Sequence, residues 1–252
     1  MKEENILKQI LICIETQDVE GIKACFQAGL SPNVLNKEKP LIEELTSNYL
    51  RSSRFKSCVQ QFVDNGLQYH DDVLLTILLD DGTTLRNTLI ENGDVIHQKI
   101  TMRSAFTPIY DASLLHVCAE FGSLTCAKML LENGMDANCK AGLDAFGFGG
   151  QTPIFHTVNQ HQNFGLPMLE LLLEYGADPI HNIKGLIWGQ GYEWETFIPS
   201  VNPISYAMMG LLRQFQRTEK DIYHVVKVLM QHAYGIDYDP VNIPNKYLYS
   251  NT

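Results

Sequence analysis

Two stretches in the second half of the chain read almost alike. Ser113-Leu114-Leu115-His116-Val117-Cys118-Ala119 leads into Lys128-Met129-Leu130-Leu131-Glu132-Asn133-Gly134-Met135-Asp136-Ala137-Asn138. Gln151-Thr152-Pro153-Ile154-Phe155 then leads into Glu170-Leu171-Leu172-Leu173-Glu174-Tyr175-Gly176-Ala177-Asp178-Pro179. A unit that recurs with helical apolar spacing and a closing glycine cannot bury its apolar face alone. It needs stacked neighbours, and this restricts the possible folds more than any other feature of the chain.

The closing glycine serves as a ruler, because a chain leaving a helix often passes through a left-handed conformation that costs other residues energy. Gly29, Gly66, Gly93, Gly134, Gly176 and Gly235 mark six units, spaced 37, 27, 41, 42 and 59 residues apart. The helix starts agree. Thr152-Pro153 and Asn202-Pro203 each set a capping residue before a proline, and Ser113 can cap in the same way.

These residues match the T-P-L-H-x-A and L-L-x-x-G-A-D pattern of ankyrin repeats, whose bare unit needs about 33 residues. The later units resemble a bacterial branch of ankyrin-repeat proteins. The residues that carry this likeness are Ala112 to Val117, Gln151 to Asn159, Trp188-Gly189-Gln190-Gly191-Tyr192-Glu193-Trp194-Glu195-Thr196, and Asn202 to Ala207. The likeness covers residues 70–237, with 1–69 as degenerate repeats. It implies a non-catalytic interaction scaffold. Phe155 and Ser205 stand where the pattern has histidine, which interrupts any regular ladder of histidine hydrogen bonds.

Composition narrows the function classes. Twenty-nine Asp and Glu against 19 Lys and Arg give a net charge of −10. A nucleic-acid binder needs a basic stripe, and the densest cluster, Arg51 to Lys56, has only three cations. Neither nucleic acid nor membrane is expected as a partner, and the charge slightly favours a basic protein. No signal peptide is read in the first residues. The six cysteines are scattered without a C-x-x-C pair, which fits reduced thiols in a cytoplasmic protein.

Two insertions, 140–150 and 181–201, lie where ankyrin proteins place their finger loops. Trp188, Tyr192, Trp194, Phe146 and Phe148 are the candidate apolar anchors for a partner, because Trp and Tyr dominate interface hot spots. Glu193, Glu195 and Asp144 are candidate polar selectors, with the two glutamates alternating with Trp194 on an extended strand. The competing reading is that the rings seal the loops' own small core and the carboxylates are solvated. The runs Gly147, Gly149, Gly150 and Gly189, Gly191 are not G-x-G-x-x-G and read as turns. His156 and His161 are five apart and His181 lies on the next loop, which is poor metal-ligand spacing. No G-x-S-x-G or cysteine signature supports nucleophilic catalysis.

The sequence therefore predicts an all-α ankyrin solenoid of about six helix pairs with extended loops between the later repeats. Residues 1–70 form a degenerate N-terminal cap, 71–237 the repeats with insertions, and 238–252 a C-terminal tail, all in one continuous domain. The expected function is protein recognition without catalysis or cofactor, through the fingers and the inner helix face around Tyr110, Asn159 and Tyr206. The rivals are a dedicated inhibitor, such as the immunity partner of a toxin, and a loop-borne metal-dependent or hydrolytic enzyme.

Overall fold

The structure is a computed structural model that describes residues 2–209 and 217–238. Residues 239–252, most of the expected tail, lie outside it.

The chain opens with helices α1 (Lys2–Glu15) and α2 (Val19–Gln27) and a short hairpin of β1 (Leu35–Asn36) with β2 (Lys39–Pro40). Helices α3 (Leu41–Thr46), α4 (Phe55–Asp64), α5 (Asp72–Leu79) and α6 (Gly82–Glu91) follow. Strands β3 (Lys99–Met102) and β4 (Ile109–Ser113) form a second hairpin and lead into α7 (Leu114–Phe121) and α8 (Leu124–Glu132). Two 3-10 turns, Pro153–His156 and His161–Asn163, precede α9 (Leu166–Glu174). A third hairpin, β5 (Ile183–Trp188) with β6 (Thr196–Val201), precedes α10 (Pro203–Met208) and α11 (Glu219–Tyr234).

Helix starts follow local chemistry. Asp18, Asp71, Asn202 and Thr218 accept the exposed backbone N–H groups of Gly21, Leu74, Ser205 and Asp221 with their side chains. Packing then proceeds between neighbours: α1 on α2, α2 on α4, α4 on α5, α5 on α7, and α7 on the Pro153–His156 turn. Aromatic rings tie successive units, with Phe26 edge-on to Phe62 at 5.0 Å and Phe55 stacked on Phe121 at 4.8 Å. Among the described residues no helix is long and apolar enough to cross a membrane.

Three sequence expectations are corrected. The fold is mixed α/β and not all-α, because among the described residues the loops between units pair as three two-stranded antiparallel sheets. Nor is it an array of six helix pairs. The first element of the fifth unit is a 3-10 turn, and Gln162 at φ 45° interrupts the next one, so no α-helix forms there. Gly93 does not end a helix in the left-handed conformation. Helix α6 stops at Glu91, and Asn92 caps a new 3-10 turn that begins at Gly93. The other five ruler glycines do have positive φ.

A buried ionic cluster joins distant parts of the chain. The Nε and Nη2 atoms of Arg51 donate to Glu120 Oε1 at 3.0 and 2.8 Å. His156 Nδ1 donates to Glu120 Oε2 at 2.9 Å. Arg51 also donates to the carbonyls of Thr46 and Asn48, and its guanidinium lies 4.7 Å from the centre of the Phe121 ring. Burial alone would raise the Glu120 pKa, but Arg51 and His156 together hold it below its ordinary value. Beside this cluster His116 accepts from the Ser113 N–H at Nδ1 (3.2 Å), so its proton sits on Nε2 and is donated to the Gln151 carbonyl at 2.9 Å.

Removing one member of a buried pair strands the other's charge. Glu120→Gln should therefore lower unfolding free energy by about 3–5 kcal/mol in denaturant titration at neutral pH. A loss under about 1 kcal/mol would mean that the cluster does not hold these segments together.

Burial pushes the His116 pKa down to about 3, from an ordinary value of 6.5. The native ring stays neutral while the unfolded chain takes up a proton, so stability is full above the unfolded pKa and falls as pH drops from 6.5 towards 3. The slope from this one group is about 1.4 kcal/mol per pH unit. Denaturation curves at pH 7 and 5 should show the loss in the parent, and His116→Gln should flatten it. An unchanged slope in that variant would show that other groups cause the acid sensitivity.

Candidate functional site

The insertions are built as fingers joined side by side. Gly142 N–H donates to the Tyr110 carbonyl of β4 at 2.9 Å, and Gly149 N–H donates to the Gly185 carbonyl of β5 at 2.9 Å. Leu143 and Gly149 pair across the 140–150 finger itself. Glycine is required at 149, where φ is +112° and an added Cβ would lie 2.4 Å from the Gly142 carbonyl oxygen. The fingers thus extend the β3–β4 hairpin laterally through main-chain bonds.

The predicted site residues separate into two groups. In the first, Phe148 packs on Phe197 with ring centres 4.6 Å apart, and Lys184 sits 4.9 Å from the Phe148 centroid. Lys184 Nζ also donates to the Phe146 carbonyl at 3.0 Å. Phe146 itself is 76% exposed. Asp144 Oδ1 accepts the backbone N–H groups of Phe146 and Phe148, both at 2.9 Å, so this carboxylate shapes its own turn.

In the second group, the tip of the β5–β6 finger folds back over the earlier part of the chain. Trp188 is half-buried and stacks flat on Phe106, with centroids 5.2 Å apart and ring planes 9° from parallel. Tyr192 packs on Trp194 at 4.2 Å, and the Arg103 guanidinium lies 4.2 Å from the Tyr192 ring centre. The Tyr192 hydroxyl donates to the Ser47 carbonyl at 2.8 Å, across 145 residues of sequence. Gly189 N–H donates to the Phe106 carbonyl at 3.0 Å. Trp194 is 37% exposed at the tip.

Glu193 and Glu195 do not alternate with Trp194 on a strand. The tip is a pair of turns, with Tyr192 N–H bonded to the Gly189 carbonyl and Glu195 N–H to the Tyr192 carbonyl. Glu195 Oε2 accepts from Gly191 N–H at 2.8 Å, while Glu193 is exposed. Tyr206, expected on the inner helix face, is fully buried, its hydroxyl 2.8 Å from Thr107 Oγ1, so it presents nothing to a partner. His156 is committed to Glu120, and among the described residues no three His, Cys, Asp or Glu side chains gather as a metal-holding group.

Between the fingers lies a groove of about 320 Å³, walled by Tyr110, Asp144, Phe146, Phe148, Leu186 and Gln190. Tyr110 is 49% exposed. The groove therefore has apolar walls and an accessible aromatic rim, the form of a recognition cleft. Sequence reasoning missed Arg103, Phe106 and Ser47, which position the second finger. No motif surrounds them, and a contact 145 residues away leaves no local trace.

The two tryptophans should differ. Trp188→Ala removes a stacked, half-buried ring and should cost about 2–3 kcal/mol of stability. Trp194→Ala should cost less than about 1 kcal/mol. Denaturant titration of both variants checks the order, and equal losses would contradict the packing described.

Residues 110–141 fit the family model described as Ankyrin repeat. The matched segment starts at Tyr110 on β4, runs through α7 and α8, and ends at Ala141, at the base of the first finger. It supports an ankyrin-repeat protein, and so a protein-interaction module in general.

Proposed function

We propose that this chain recognises a protein partner through the groove between its fingers, with Phe146 and Tyr110 as the accessible aromatic rim. The supporting observation is that the groove opens directly beside the matched repeat, with Tyr110 belonging to both. Phe148 and Asp144 act inside the finger, one as packing against Phe197 and the other as a turn former. Ankyrin repeats are typically non-catalytic interaction modules, which favours binding over an enzyme. Six free thiols, five of them buried, favour a reducing compartment such as the cytoplasm.

The test begins with pull-down from a native lysate and mass spectrometry to identify the partner. Phe146→Ala should then weaken that partner's binding by about 2 kcal/mol, as expected for an aromatic anchor. Its melting temperature should barely move, because the ring is 76% exposed. Unchanged affinity in both Phe146→Ala and Tyr110→Ala would remove the groove from the interface.

A further inference from the structure

A second groove, larger than the one between the fingers, lies elsewhere. It is a groove of about 480 Å³ between the β1–β2 hairpin and the folded-back tip of the β5–β6 finger. Four separate segments build it: α1, the hairpin with its following helix and loop, the stretch around Arg103, and Tyr192. Leu11, Tyr49 and Tyr192 make its accessible apolar surface, over the buried Ile14 and Ala105. The volume falls within the range of roughly 300–1,000 Å³ typical of binding clefts.

Its charge runs against the rest of the molecule. The chain carries −10 overall, yet Lys37, Lys39 and Arg103 line this groove against only two carboxylates, Glu15 and Glu44. Glu44 Oε1 accepts from Asn36 Nδ2 at 2.9 Å, so part of that carboxylate is already used within the wall. None of the three cations forms an ion pair among the described residues. Lys37 and Glu38 both have positive φ, the signature of a tight hairpin turn, and that turn holds Lys37 and Lys39 at one wall. Arg103 is held at the opposite wall by the Tyr192 ring, which is itself anchored to the Ser47 carbonyl. A guanidinium stacked on an aromatic face keeps its N–H fork free for a carboxylate.

We infer that this groove binds an acidic peptide segment of a protein partner, with carboxylates between the lysine wall and Arg103 and an apolar side chain on the surface of Leu11 and Tyr49. This reverses, for this face, the basic partner that the net charge favours. It is a second site and does not depend on the finger groove.

The probe is a fluorescent capped peptide of glutamates with one central leucine, set against its lysine counterpart and a glycine–serine control. By anisotropy the acidic peptide should bind the full chain about tenfold more tightly than the neutral one, and more weakly as salt rises. Lys37→Gln with Lys39→Gln changes only exposed positions of the hairpin, and adding Arg103→Gln completes the set. The double variant should lose several-fold and the triple about tenfold or more of the affinity. Lys23→Gln, Arg86→Gln and Lys128→Gln together remove the same charge from other exposed positions and should leave binding unchanged. Equal loss in both triple variants, tighter binding of the lysine peptide, or no preference for the acidic one would each overturn the inference. Phe146→Ala should bind the acidic peptide as the parent does. If it does, and the peptide is nonetheless lost in the groove variants, the two sites are separate.

Discussion

A single buried carboxylate organises the middle of this molecule. Glu120 sits on α7 with both oxygens occupied, one by Arg51 from the segment before α4 and the other by His156 from the turn after the first finger. An uncompensated charge at that depth is very costly, so all three segments must arrive together. Arg51 also takes the carbonyls of Thr46 and Asn48, which end α3, and lies against Phe121. The hydrogen bonds of the cluster thus reach backward to the N-terminal helices and forward to the turn that replaces a helix in the fifth unit.

The sequence made the helices of the matched repeat legible because their signals are local. The apolar spacing of Leu114 to Phe121 and the glycine at 134 act within a few residues, and the structure follows them. Asn202 before Pro203 likewise capped α10 as read. The fold class was misread because the hairpins depend on partners outside the local window. Strand β5 pairs with β6 on one side and bonds to the 140–150 finger on the other, and no period-two run in 183–201 is long enough to announce this. Gly93 failed as a marker because Asn92 offered its side chain to Asp94 N–H, starting a new turn where a left-handed exit was expected.

The candidate site was legible as a set of residue types and not as an arrangement. The aromatic residues of the insertions do cluster, but around two different centres. Phe146 and Phe148 belong to a groove with Tyr110, whereas Trp188, Tyr192 and Trp194 close against Phe106 and Arg103. Two of the three acidic residues read as selectors instead accept backbone N–H groups of their own turns. A short acidic side chain beside glycines has this option nearby, and the entropic cost of reaching it is low.

The bond between Tyr192 and Ser47 changes how the chain should come apart. In a stack where each unit touches only the next, stability is a sum of nearest-neighbour terms and the ends can fray one by one. Here a late finger is fastened to the loop after α3, and Arg51 is fastened to α7. The early helices cannot peel away without also breaking the Tyr192–Ser47 bond at the finger tip. Unfolding is pushed towards a single cooperative event, and the irregular first units draw protection from residues more than a hundred positions downstream.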